Sequence, residues 1–123
     1  MSAETTALDF LRFVREGNRA GAERLLAPDA RHHSPYFKAG APALLDAIEQ
    51  AAKSGPPRFS LSDVKHVMCD GDYVAVHSHV YQRQGDPSGA VFHLFRFKGD
   101  LIAEVWEVGQ LIPADNPNTD GMF

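Results

Sequence analysis

Residues 90–110 read AVFHLFRFKGDLIAEVWEVGQ, and this stretch decides the fold. Two apolar runs rich in β-branched and aromatic residues flank a Lys98-Gly99-Asp100 turn, the composition of a β-hairpin. His93 and Glu107 interrupt those runs where a sheet would otherwise bury hydrocarbon. An imidazole or carboxylate in that setting is costly unless it is hydrogen-bonded or used. The pattern predicts a polar-lined pocket in a small α+β domain, suited to proton transfer or to binding a small ligand.

Working back from the hairpin, Tyr73 to Arg83 reads as a third strand. Val74, Val76 and Val80 share one face of it, and Ala75, His77, His79 and Tyr81 share the other. The histidine face either lines a cavity or meets solvent or a partner subunit. Gly85-Asp86-Pro87-Ser88-Gly89 reads as the loop that joins this strand to the hairpin. Asp70-Gly71 marks a tight turn before it. Phe59 to Cys69 alternates, with a parity break between Leu61 and Val64 that predicts a β-bulge near Ser62-Asp63. Four strands joined by such short turns must run antiparallel.

The first half has helical spacing instead. Thr6 followed by Asp9 fits a capping box, and Leu8, Phe10, Leu11 and Val14 give the stripe of an amphipathic helix that stops at Gly17-Asn18. A shorter helix is predicted over Arg19 to Ala27, ended by Pro28-Asp29. A third starts at Pro42, runs through Leu44, Leu45, Ile48 and Ala51, and ends at Gly55-Pro56-Pro57. Between the second and third, Arg31 to Ser34 is the place for one short strand. Helices followed by a meander predict three helices packed on one face of a mainly antiparallel sheet. Residues 113–123 read as a surface segment.

The 123 residues predict one domain, 1–123, with enough apolar content (44%) for a core. A net charge of −4 with no basic run argues against a nucleic-acid partner. The single Cys69 excludes an internal disulfide. The start of the chain lacks a basic-then-apolar leader and no run reaches membrane-spanning length, so a cytoplasmic protein without a membrane partner is expected.

His93 shares its face with Val91, Phe95 and Phe97, and Glu107 on the neighbouring strand is its candidate partner. The two share a face only if the hairpin loop is odd-numbered, as Lys98-Gly99-Asp100 would be, or if a bulge intervenes. The competing reading is a hydrogen-bonded core histidine beside a rim glutamate. In His32-His33-Ser34-Pro35-Tyr36 adjacent histidines must point opposite ways; His33 or Tyr36 is the candidate contact to a substrate oxygen, and His32 reads as loop. His77 is a further candidate donor, and Trp106 reads as core or pocket wall. His77-Ser78-His79 could chelate a metal, but no HExxH or other recognisable ligand spacing exists, so no metal and no cofactor is expected. GxSxG, Walker and GxGxxG motifs are absent, and Cys69 has no activating neighbour.

His33-Ser34-Pro35, GDYVAVHSHV, FRFKGDLIAEVWEVGQ and the final Gly-Met-Phe together resemble the SnoaL-like polyketide cyclase branch of the nuclear transport factor 2-like superfamily. Within it they are most similar to the group described as predicted aldol-condensation-catalysing enzymes. The resemblance implies a cone-shaped α+β barrel with an internal pocket. It also implies acid–base catalysis by a histidine and a carboxylate on the last two strands, the positions of His93 and Glu107. The chain departs from that group in having Glu107 for Asp and Val105 for His. The expected activity is proton abstraction beside the carbonyl of a small apolar, polyketide-like compound, giving aldol cyclisation or isomerisation. The alternatives are a non-catalytic ligand-binding protein and an interaction domain using the outer sheet face. Phe92 and Leu94 make that second face apolar, so a homodimer is expected.

Overall fold

Three helices, α1 (Ala3–Glu16), α2 (Arg19–Leu25) and α3 (Ala41–Lys53), cover one face of a single sheet. Its strands are β1 (Leu26–His32), β2 (Phe59–Asp70), β3 (Tyr73–Gln82), β4 (Gly89–Lys98) and β5 (Leu101–Leu111). This is a computed structural model that describes residues 2–53, 59–82 and 88–123. The spatial order is β1-β5-β4-β3-β2. The last four strands form the expected antiparallel meander, and β1 adds in parallel beside β5. The fold is α+β, and its curved sheet stays open, with β1 and β2 as its two edges, where a closed barrel would join them.

The core lies between the helices and the inner sheet face. Phe95, Ile102, Val74 and Val76 are fully buried there, and Phe10 of α1 meets Phe95 edge-on with ring centroids 5.9 Å apart. Each such side chain contributes about 1.5–3 kcal/mol by leaving water. Leu45 and Ile48 bring α3 to the same cluster.

The helix boundaries move by about a turn from the sequence reading. The cap of α1 is Ser2, whose Oγ accepts the Thr5 N–H at 3.1 Å, and Thr6 sits inside the helix with its Oγ1 donating to the Ser2 carbonyl. The stop is where it was expected: Gly17 adopts φ 69°, and a side chain there would overlap Ala52 of α3. The second helix ends at Leu25, earlier than predicted, because the chain turns extended and Leu26 to His32 pairs with β5. The short strand placed at Arg31 to Ser34 is therefore β1, shifted towards the N-terminus. The stop at Gly55-Pro56-Pro57, residue Arg83 and positions 85–87 of the loop lie outside the described residues, while Gly89 already belongs to β4.

Bulges set the registers. In β2 the shifts fall between Phe59 and Leu61 and between Val64 and His66, on either side of the predicted Ser62-Asp63. In the last hairpin Lys98 pairs with Leu101 across a two-residue turn, Gly99-Asp100, with Gly99 at φ 61°. A two-residue turn alone would place His93 opposite Trp106. Between Arg96 and Phe97 the register slips, so that Arg96 faces Glu104 while Phe97 faces Ile102, leaving Ala103 as the extra residue. Beyond that bulge His93 faces Glu107.

Candidate functional site

His93 and Glu107 are directly paired across β4 and β5, and His93 is also paired with Val76 of β3. Directly opposed residues share a sheet face, and Val76, Phe95 and Val105 mark this one as the face under the helices. The imidazole of His93 lies near Phe95, ring centroids 6.1 Å apart at 25°. Its Nδ1 is buried and has no hydrogen-bond partner among the described residues. Burial disfavours the imidazolium and brings the pKa down to about 4, so the ring is neutral at physiological pH. Glu107 keeps solvent contact along its side chain. Even so, the protein around its carboxyl desolvates the anion and raises its pKa above the ordinary carboxylate range, with His32 pulling the other way. Among the described residues no hydrogen bond joins the two side chains. The site thus pairs a neutral, unsatisfied imidazole with a carboxylate made more basic than usual.

His32 is the residue the sequence reading assigned to the loop and the structure brings to this face. It is paired with Val105, is buried, and lies within electrostatic reach of Glu107. Its Nε2–H donates to the Lys38 carbonyl at 2.7 Å, and its Nδ1 accepts the Ser34 N–H at 3.3 Å. Both ring nitrogens are therefore spent on the segment that follows β1. The alternation argument for the His32-His33 pair holds, with its sense inverted: His32 points in and His33 points out.

The other candidates fall on the opposite, outer face. His33 donates through Nε2 to Glu104 Oε2 at 2.6 Å and lies flat against Trp106, ring centroids 5.1 Å apart at 8°. Arg96 donates through Nε and Nη2 to the other Glu104 oxygen at 3.3 and 3.1 Å. These bonds, that from His33 first, hold the buried Glu104 carboxyl below its usual pKa. Nothing in the sequence singled out Glu104; its odd spacing from Glu107 is the signal that one of the two must face outwards. His77 stacks on Phe92 on this same face, and His79 reaches Ser88 Oγ at 3.0 Å. Tyr36 sits in the segment after β1 and is 79% exposed. His33, Tyr36, His77 and Trp106 therefore do not converge on His93 and Glu107, because strand parity or loop position puts each of them elsewhere. Among the described residues no group of three or more His, Cys, Asp or Glu is placed to hold a metal, and no helix is long and apolar enough to cross a membrane. A separate cleft of about 260 Å³ lies between α2, β1 and α3, lined by Glu23, Leu26, Pro28 and Leu45 among others.

A family model described as a SnoaL-like domain matches residues 7–105, taking in His93 and ending two residues before Glu107. Comparison with curated proteins gives no match. Solved structures of the same shape include a nuclear transport factor 2-like protein of unknown function from Cytophaga hutchinsonii, at TM-score 0.71 and 14% identity over 89% of this chain and 91% of that one. A candidate ketosteroid isomerase from Kribbella flavida superposes at TM-score 0.70 with 18% identity, over 94% of this chain and 82% of its own. A candidate hydroxylase from Streptomyces galilaeus gives TM-score 0.67 and 20% identity over 88% of both chains. At these identities the likeness is one of fold.

Proposed function

Since the chain belongs to the SnoaL-like family of the nuclear transport factor 2-like superfamily, we propose that it is a cofactor-independent acid–base enzyme of the cyclase or isomerase type acting on a small apolar carbonyl compound. The observation that carries this reading is the juxtaposition of His93 and Glu107 on the helix-covered face, with Nδ1 of His93 buried and unbonded. Glu107 takes the role of base: a carboxylate with a raised pKa abstracts a proton beside a carbonyl more readily than an ordinary one. A ring with a pKa near 4 is a poor base at neutral pH. His93, as a neutral donor, binds the carbonyl oxygen and stabilises the enolate charge that grows there. The proton on Glu107 then returns to another carbon, which is isomerisation, or to the alkoxide formed by ring closure, which is aldol cyclisation.

The test begins with mass spectrometry of small molecules that the purified protein retains from cell extract. The expected ligand carries a ketone with an exchangeable α-hydrogen. In D₂O the protein should then accelerate deuterium uptake at that carbon. Glu107→Gln should slow uptake by about 10²–10⁴-fold and His93→Ala by about 10²–10³-fold. The double variant should lose little more, as expected for groups acting as a unit. A retained compound whose exchange the protein does not accelerate would identify a binding protein instead.

A further inference from the structure

We propose that His66 and His77 form a proton-sharing clasp on the outer sheet face, holding the ring of Phe123 against the sheet and opening in acid. The two histidines are opposed across β2 and β3, just past the second β2 bulge, and their Nδ1 atoms are 3.0 Å apart. The rings lie 7° from parallel with centroids 5.3 Å apart. That separation is about two ring radii plus one hydrogen bond, so the rings meet edge to edge in nearly one plane, with the Nδ1 atoms facing each other. One Nδ1 must carry the bridging proton and the other must accept it.

This geometry limits the charge the pair can hold. With one bridging proton the pair is neutral, or carries a single positive charge once a free Nε2 is also protonated. A second positive charge puts a proton on both Nδ1 atoms, and the bond becomes a repulsion. The surroundings reinforce the limit. Phe92 lies over the face of His77 at 4.1 Å and 2°, and His77 is buried. Desolvation and then His66 hold its pKa below the ordinary histidine value. Farther along this face lie Tyr73 and the His33–Glu104–Arg96 cluster, and few charged or titratable groups stand nearer the pair. From β2 come Asp63 and Lys65, bonded to each other at 2.9 Å, and from β3 come His79 and Tyr81. The facing β4 residues, Ala90, Phe92 and Leu94, carry no charge. Among the described residues no helix packs on this side.

The 113–123 segment is fastened to the same cluster. The ring of Phe123 lies 5.3 Å from that of His77 and 4.7 Å from that of His79, with Lys65 Nζ 5.6 Å from its centre. Repulsion between two imidazolium rings turns them out of their shared plane, and the His77 surface on which Phe123 rests is lost with that movement. Opening the clasp therefore frees the Phe123 ring from the sheet.

The experiment is an NMR pH titration of the whole chain, reading imidazole ¹⁵N shifts, the Phe123 ring resonances and far-UV circular dichroism in parallel. At pH 8 one of the two histidines should be the Nδ1–H tautomer and the other Nε2–H. On acidification the pair should take up protons in two steps at least about one pH unit apart. The Phe123 ring should leave the sheet with the second step while the far-UV signal is unchanged. In His66→Gln, at an exposed position, His77 should titrate in a single step. Nε2–H tautomers on both histidines, a single shared step, or a Phe123 ring unmoved through both steps would each overturn the proposal. So would a release that occurs only with global unfolding.

Discussion

The neutral ring of His93 makes the fold sensitive to acid. In the unfolded chain this histidine takes up a proton near pH 6.5, and in the native state only near pH 4. The stability it confers is thus fully present above pH 6.5, falls as the pH drops from there towards 4, and is constant below. Between pH 7 and pH 4.5 the loss is roughly 2–3 kcal/mol. Urea unfolding of the wild type and of His93→Phe at the two pH values isolates the effect, since other groups contribute to both. The difference in stability between the two proteins should change by that amount, and equal pH dependences would show that His93 is solvated. At this scale the sequence was legible in part. An ionisable residue inside an apolar run marks itself, which is how His93 and Glu107 stand out. The orientation of His32 against His33 does not, because adjacent positions alternate and only the register with Val105 says which one faces in.

Among the elements, β5 depends on one residue that carries no functional group. The bulge at Ala103 sends Glu104 and Trp106 outwards and Val105 and Glu107 inwards. Deleting Ala103 would close the bulge and leave Arg96 opposite Glu104, Phe95 opposite Val105 and His93 opposite Glu107, so every later side chain of the strand keeps its face. The deletion should therefore retain the fold and the native Trp106 emission, as should Ala103→Ser. A shifted Trp106 emission in the deletion variant, with the fold kept, would show that the strand had slipped by one residue and exchanged its faces. Turn chemistry was readable from Asp70-Gly71 and from the 98–100 segment. The bulge was readable only as a possibility, since Ala103 differs in no obvious way from its neighbours and the slip is fixed by packing. The same holds for β1: Pro28 reads as a helix stop, but the helix ends three residues earlier and Pro28 lies within the strand, whose parallel partner is far along the chain.

For the molecule as a whole, the outer sheet face is an apolar surface that none of the described helices covers. Met68, Tyr73, Phe92, Leu94 and Val108 share it, and Val108 is 72% exposed. Five strands at about 4.8 Å spacing, with about eight residues of each, make a face on the order of 600 Å². That approaches the roughly 800 Å² each partner buries in a stable complex. We propose that a second copy of the chain covers it. Sedimentation should give a dimer at micromolar concentration, and Val108→Lys should shift it to monomer without loss of secondary structure. A wild type that stays monomeric would leave the face to some other partner.

The parallel pairing of β1 with β5 also sets the order in which the molecule can be assembled. Every other strand pair joins neighbours in sequence, whereas the His33–Glu104 bond that anchors the end of β1 spans 71 positions. Contacts of that separation cost the most chain entropy to close and tend to form late. On a ribosome α1, α2 and β1 emerge first, with the strands that bury their apolar sides still unmade. The meander of β2 to β5 can zip from one turn to the next, so the sheet is the template and the N-terminal third waits for it. In hydrogen exchange this ordering places the β1 amides among the first to open and those of β3 and β4, flanked on both sides, among the last.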